Sequence, residues 1–197
     1  MRKVLFIFGV LNDSDIDWMA RTGSRREIRR QEVLIQEGVP IDAIVLLLQG
    51  RMGVSVSGAG EIAQIEAGDF IGEMSLVDSV PPSATVTAKS DSIALFLDKH
   101  VLLRKLAGDH AFASRFYRAL AILLSDRLRA TERRMAYSEQ ANGLGDETTR
   151  LKDELDPGVL DQVSIAGARF DRLLKLIEEV AMKSAKSLDR LKSATRA

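Results

Sequence analysis

Six short β-rich runs lie between Val33 and Leu97, separated by turn signals, and this rhythm constrains the fold more than any other feature of the chain. The runs are Val33-Leu34-Ile35, Ile44 to Leu48, Val54 with Val56, Ile62 with Ile65, Thr85 to Ala88, and Ile93 to Leu97. The turns fall at Glu37-Gly38-Val39-Pro40, Gln49-Gly50, Ser57-Gly58-Ala59-Gly60, Ala67-Gly68-Asp69 and Lys89-Ser90-Asp91. Gly38, Gly50 and Gly68 are read as structural, since such turns need positive φ. Many short strands at close spacing predict a sandwich, barrel or jelly roll rather than a parallel sheet. Val45-Leu46-Leu47-Leu48 is apolar on both faces, so something must cover the outside of the roll as well.

Helical patterns flank this region. Asn12-Asp13-Ser14-Asp15 reads as a helix start, with polar side chains able to cap free amides and acids at the positive end of the dipole. Ile16, Met19 and Ala20 supply an apolar face, Trp18 reads as a core anchor, and Gly23 offers a stop in the manner of a C-terminal glycine cap. After the roll, Asp98 to Leu106 is expected to be helical, and Ala111 to about Tyr137 one long helix without Gly or Pro. Its stripe of Phe112, Phe116, Leu120, Leu123, Leu124, Leu128, Thr131 and Met135 is wide at first and narrows after Leu128. The wide part suits packing on the roll, and the narrow part suits a partner helix. Asn142 to Asp146 reads as a linker and Glu147 to Leu155 as a short polar helix. Asp156-Pro157-Gly158 opens a last helix striped by Phe170, Leu173, Leu174, Ile177 and Val180, with Leu188 and Leu191 as weaker extensions. The expected organisation is a roll with its long helix over 1–138, a linker over 139–157 and a helical extension over 158–197.

Composition removes several classes of function. With 28 basic and 28 acidic residues among 197, the net charge is zero and gives no electrostatic footprint for nucleic acid or a membrane surface. The absence of cysteine removes disulfides and thiol chemistry and fits a reducing compartment. Met1-Arg2-Lys3 with the apolar run Val4 to Val10 imitates a signal peptide, but the chain then turns acidic without a small-residue cleavage site. No apolar run approaches the ~20 residues that span a bilayer. A cytoplasmic protein is expected. His100 and His110 lie outside the β region, so no metal site and no catalytic triad is expected, and the chain reads as no enzyme.

Two stretches carry a resemblance. One is Val33 to Ala43 with Leu48-Gln49-Gly50 following it. The other is Ala67-Gly68-Asp69-Phe70-Ile71-Gly72-Glu73-Met74-Ser75-Leu76, followed by Pro81-Pro82-Ser83-Ala84-Thr85-Val86. Together with the long helix they resemble the cyclic-nucleotide-binding family over about Asn12 to Tyr137. The second stretch is similar to that family's phosphate-binding cassette. The resemblance implies an α+β fold: a double-stranded β-helix (jelly roll) flanked by helices, with a helical C-terminal extension. It implies a nucleotide site at Gly72, Glu73, Met74, Ser75, Pro82, Ser83, Ala84 and Thr85, for cyclic AMP or cyclic GMP. Gly72 would let the backbone approach a ligand, and the amides of Glu73, Met74 and Ser75 would donate to a phosphate. In the family, the Glu aligned with Glu73 binds the ribose hydroxyl, and an Arg in the return loop pairs with the phosphate.

The chain departs from the pattern at Pro82, which stands where that Arg is expected and brings neither charge nor amide proton. Ser83 and the Ala84 amide replace only part of what is lost. Each residue also has a plainer reading: Glu73 as a cap on nearby amides, Ser83 and Ala84 as a turn fixed by the prolines, and Thr85 as a strand residue. Arg127, Arg129, Arg133 and Arg134 read as a solvated face, because Asp126 and Glu132 interleave, with contact to ligand or partner as the alternative.

Three functions compete. The first is a non-enzymatic regulatory sensor or signalling adaptor with weak or lost cyclic AMP binding. The second is a degenerate roll acting as a protein-interaction or oligomerisation module. The third and weakest is a transcription regulator, since about 50 residues follow Gly145 and carry ten basic and ten acidic side chains, with no basic recognition helix. The expected partners are a cyclic nucleotide, a protein and a second copy of the chain, with no DNA and no membrane.

Overall fold

The computed structural model describes residues 7–78, 80–140 and 157–194, with side chains placed through 132 and again from 165 to 183. The linker at Asn142–Asp146, the polar helix at Glu147–Leu155, the N-terminal charged residues and the side chains of Met135, Leu188 and Leu191 lie outside this description. A helical turn at 7–10 leads into α1 (Asp13–Thr22), which starts on a reciprocal cap. Asn12 Oδ1 accepts the Asp15 amide and Asp15 Oδ2 accepts the Asn12 amide, both at 2.9 Å. Gly23 ends the helix for a different reason from the one expected. Its φ is −75°, an ordinary value. A Cβ there would instead lie 2.6 Å from Leu95 Cδ1 and 2.9 Å from the Met19 carbonyl, so glycine is needed for close packing.

Eight strands follow: β1 (Ser24–Ile28), β2 (Val33–Ile35), β3 (Ala43–Gln49), β4 (Arg51–Val56), β5 (Gly60–Glu66), β6 (Phe70–Ile71), β7 (Thr85–Ala88) and β8 (Ser92–Asp98). They form two four-stranded sheets, β1-β8-β3-β6 and β2-β7-β4-β5, in which every pair is antiparallel. The fold is the expected β-roll. Six strands match the sequence runs, and β1 and β6 do not. β1 is an edge strand with four exposed residues out of five, so it shows no alternation. β6 has only two residues.

β3 shows why the roll needs an outer cover. Ile44, Leu46 and Leu48 pack with the helices, whereas Val45 and Leu47 point between the sheets. Its neighbour β8 divides the same way, with Leu95 and Leu97 outward and Ala94 inward. The inner cluster is completed from the second sheet by Ile35, Met52, Ile65, Val86 and Ala88.

The cover comes from α3 (Lys99–Gly108), α4 (His110–Gln140) and α1, while the short α2 (Met74–Val77) belongs to the cassette. Asp98 caps α3 by accepting the Val101 amide at 2.9 Å, and Asp109 starts α4 by accepting the Phe112 amide at 2.9 Å. Phe112, Phe116, Leu120 and Leu123 are buried against the roll. Phe116 meets Phe70 edge-on at 5.8 Å, and Trp18 meets Phe112 at 5.2 Å, which makes Trp18 part of the core edge. Leu128 is 61% exposed, so the stripe leaves the roll where the sequence narrows.

The last helix, α5 (Pro157–Ala194), begins on a proline whose missing amide costs nothing in a first turn. It folds back onto α1 and not onto Leu128. Ala166, Leu173 and Ile177 are buried there, and Phe170 stands edge-on to Phe8 at 5.2 Å. Val180 is 37% exposed and does not share this burial. No described helix is long and apolar enough to cross a membrane.

Candidate functional site

The cassette is built from the end of β6. Gly72 has φ +80°, and a side chain at that φ would be strained, with its Cβ 3.2 Å from the Ala43 carbonyl. This turn directs Glu73 into the protein, where it is 2% exposed. Ser75 Oγ donates to the Gly72 carbonyl at 2.8 Å and tightens the turn. The Leu76 amide bonds to the Glu73 carbonyl at 3.1 Å, so the amides of Glu73, Met74 and Ser75 precede that first helical bond. Met74 and Val77 turn outward, 52% and 60% exposed.

Two helices hold this turn from outside. Arg127 of α4 donates through Nη1 to the Glu73 carboxylate and through Nη2 to the Phe70 carbonyl, the latter at 2.5 Å. Lys99, the first residue of α3, donates to the Ser75 carbonyl. Burial pushes the Glu73 carboxyl above its ordinary range; the Arg127 cation pulls it back only in part, and Asp69 adds to the upward push. The Glu73 side chain makes no N-cap hydrogen bond into α2, but its carboxylate does meet its own backbone amide, so the cassette turn and α4 hold it together.

Arg127 is the functional candidate that the sequence reading placed wrongly. Interleaved charges put it on a solvated face, yet it lies four residues after Leu123, continuing the buried series Phe116, Leu120, Leu123. That register was the available signal. One turn further, Thr131 Oγ1 donates to the Arg127 carbonyl at 3.0 Å.

The return loop closes the same end of the roll. The Pro82 carbonyl accepts the Gly38 amide at 2.8 Å, and Thr85 Oγ1 accepts the Glu37 amide at 3.1 Å. Glu37 in turn accepts the Ser57 amide at 2.9 Å. Ser83 is exposed and Ala84 half-buried. Ile35 pairs with Val86 and lies near the position a Gly72 side chain would take, so cassette and return loop are drawn to one end. The loop residues Pro81, Pro82, Ser83 and Ala84 bring no cation of their own. His100 and His110 are exposed on the helices. Among the described residues, no group of three His, Asp or Glu side chains is arranged to hold a metal ion.

Residues 25–109 match the cyclic nucleotide-binding domain family. An uncharacterised NTE family protein of Mycobacterium bovis is 28% identical over 119 residues, covering 60% of this chain and 20% of that protein. The cAMP-dependent protein kinase regulatory subunit of Blastocladiella emersonii is 26% identical over 114 residues, covering 56% of this chain and 28% of the subunit. This chain thus spans about a fifth of the length of the mycobacterial relatives it matches. Among solved structures, a cyclic nucleotide-binding domain from Methylobacillus flagellatus superposes with a TM-score of 0.61 at 24% identity, covering 75% of this chain and 86% of the other.

Proposed function

We propose, for a chain that over residues 25–109 belongs to the cyclic nucleotide-binding domain family, that it is a non-enzymatic regulatory sensor or signalling adaptor in which the cassette reports to the long helix. The observation that carries this reading is the grip of Arg127 on Glu73 and on the Phe70 carbonyl. A ligand hydroxyl arriving at Glu73 must share the carboxylate with Arg127 or displace it, and either event acts on α4. Gly72 and the amides of Glu73, Met74 and Ser75 form the rest of the ligand turn, with Ser83 and the Ala84 amide as weaker donors. Thr85 serves the strand by accepting the Glu37 amide. A relative named as a cAMP-dependent protein kinase regulatory subunit supports cyclic AMP as the ligand, with cyclic GMP as the alternative.

Pro82 sets the strength. Arg-to-phosphate contacts are charge-assisted and often bidentate, and losing one partner of a buried charged pair costs about 2–5 kcal/mol. Cyclic AMP is therefore expected to bind more weakly than about 1 μM. The same residue favours a second reading, in which the roll has given up its ligand and serves as a protein-interaction module, because the Pro82 carbonyl already ties the loop to Gly38. Calorimetry with cyclic AMP, cyclic GMP and cyclic dinucleotides tests both. Weak saturable heat supports the sensor, and no heat with any of them supports the module. Sub-micromolar binding of cyclic AMP overturns the argument from Pro82. A cytoplasmic homodimer that works without DNA completes the proposal.

A further inference from the structure

Three aspartates of α1 engage three arginines from two other helices. Asp13 and Asp17 are four residues apart and share one face, while Asp15, two residues from each, points to the opposite side. On the shared face, Arg169 Nε of α5 donates to Asp13 at 3.0 Å, and Arg172 makes two hydrogen bonds to Asp17 at 2.9 and 3.0 Å. Arg169 Nη1 also donates to the carbonyls of Phe8 and Gly9, at 3.1 and 3.3 Å. On the opposite face Asp15 is 3% exposed and takes a two-pronged bond from Arg115 of α4, at 2.6 and 2.8 Å.

Among the described side chains of α5, which run from 165 to 183, the buried ones lie between Ala166 and Ile177, about three turns. Exposed ion pairs of the Arg172–Asp17 kind add little stability, so the apolar strip provides most of the hold and the pairs fix face and register. Short, partly exposed contacts of this type open well before the core does.

We propose that α5 is a releasable arm, docked in cis on the Asp13–Asp17 face of α1, and that the Asp15–Arg115 bond couples this dock to α4. The same α4 carries Arg127 to the cassette, so a displacement of α4 at Glu73 is transmitted through Arg115 to the helix that holds α5. This goes beyond the sensor reading and does not need a nucleotide in the roll, because no residue of the dock belongs to the cassette.

Hydrogen–deuterium exchange on the full chain tests it, reading amides at 165–177 with β3 and β8 as the internal reference. Wild-type α5 is expected to be protected over 165–177. Arg172→Asp is expected to speed exchange there about tenfold with β3 and β8 unchanged, and Asp17→Arg added to the same chain to restore most of the protection. Arg115→Met, which alters no residue of the dock, is expected to speed exchange in α5 several-fold. Where that variant also opens β3 and β8, Arg115→Lys keeps the charge, gives up one hydrogen bond and is read by the same criterion. The proposal is overturned if wild-type α5 exchanges as a free helix, if the reversed pair restores nothing, or if the Arg115 variant leaves α5 at the wild-type rate. Silence in the nucleotide calorimetry leaves these outcomes unchanged, so the two readings fail separately.

Discussion

Glu73 is a buried carboxylate held by an arginine whose side chain is 29% exposed, and this imbalance makes its protonation informative. A carboxyl whose pKa is raised on folding binds its proton more tightly in the folded chain. Its protonated form therefore favours folding, an advantage that is full below the ordinary value and lost as pH rises through the raised one. Arg127→Met removes the opposing cation and raises the Glu73 pKa further. The variant is expected to lose about 2–3 kcal/mol at pH 7.5, below the usual figure for a broken buried pair because water reaches the arginine. The loss should shrink at pH 5, and urea midpoints at the two pH values measure it; an equal loss at both would remove the charge argument. Pro82 offers the complementary gain. Pro82→Arg is expected to strengthen cyclic AMP binding by roughly 30-fold or more, as read by calorimetry. No gain would mean that the end of the roll has closed around the Pro82–Gly38 hydrogen bond. Of these residues the sequence made Glu73 and Pro82 legible, because each sits in a contiguous cassette with a recognisable order. Arg127 lies 54 residues away from Glu73, and only the register of a helical stripe links them.

At the level of elements, β3 does the most to join the two halves of the core. An ordinary surface strand alternates, so truncating one face costs far more than truncating the other. Here Leu46 and Leu47 are both fully buried, the first under the helices and the second between the sheets. Leu46→Ala and Leu47→Ala are each expected to cost about 2–5 kcal/mol, measured by urea unfolding of each variant. A cost below about 1 kcal/mol at Leu46 would mean that α1, α3 and α4 do not cover the sheet in solution. The unbroken apolar run made this two-sided burial readable in advance. β1 was unreadable for the opposite reason, because its side chains face solvent and its place is set by backbone pairing to β8. Arg26 stacks on the Phe96 ring at 4.5 Å, a contact that no local pattern announces. The charged side chains of β1 also suit an edge that must not pair with another chain. The destination of α5 was equally hidden, since its stripe predicts a partner face but does not identify α1 as that face.

For the whole molecule, the open question is what meets the far part of α4. The helix runs to Gln140; among its described side chains, which end at 132, the last buried one in the Phe112 series is Leu123, and Leu128 stands 61% exposed one turn beyond. The described side chains of α5 pack on α1 and leave Leu128 exposed. A narrow apolar line on an extended helix is commonly buried by a second copy, and a two-fold pair is the commonest closed arrangement because one patch then serves both sides. Light scattering on the full chain at tens of micromolar is expected to give a dimer. Leu128→Glu puts a charge in the middle of the line without touching the roll or the α1–α5 dock, and it is expected to give a folded monomer. A dimer that survives Leu128→Glu would move the interface elsewhere on the molecule, and a monomeric wild type would remove it. The two results also bear on signalling. If α4 pairs with α4, each cassette acts through Arg127 on a helix that both copies share, and a ligand in one roll is felt in the other.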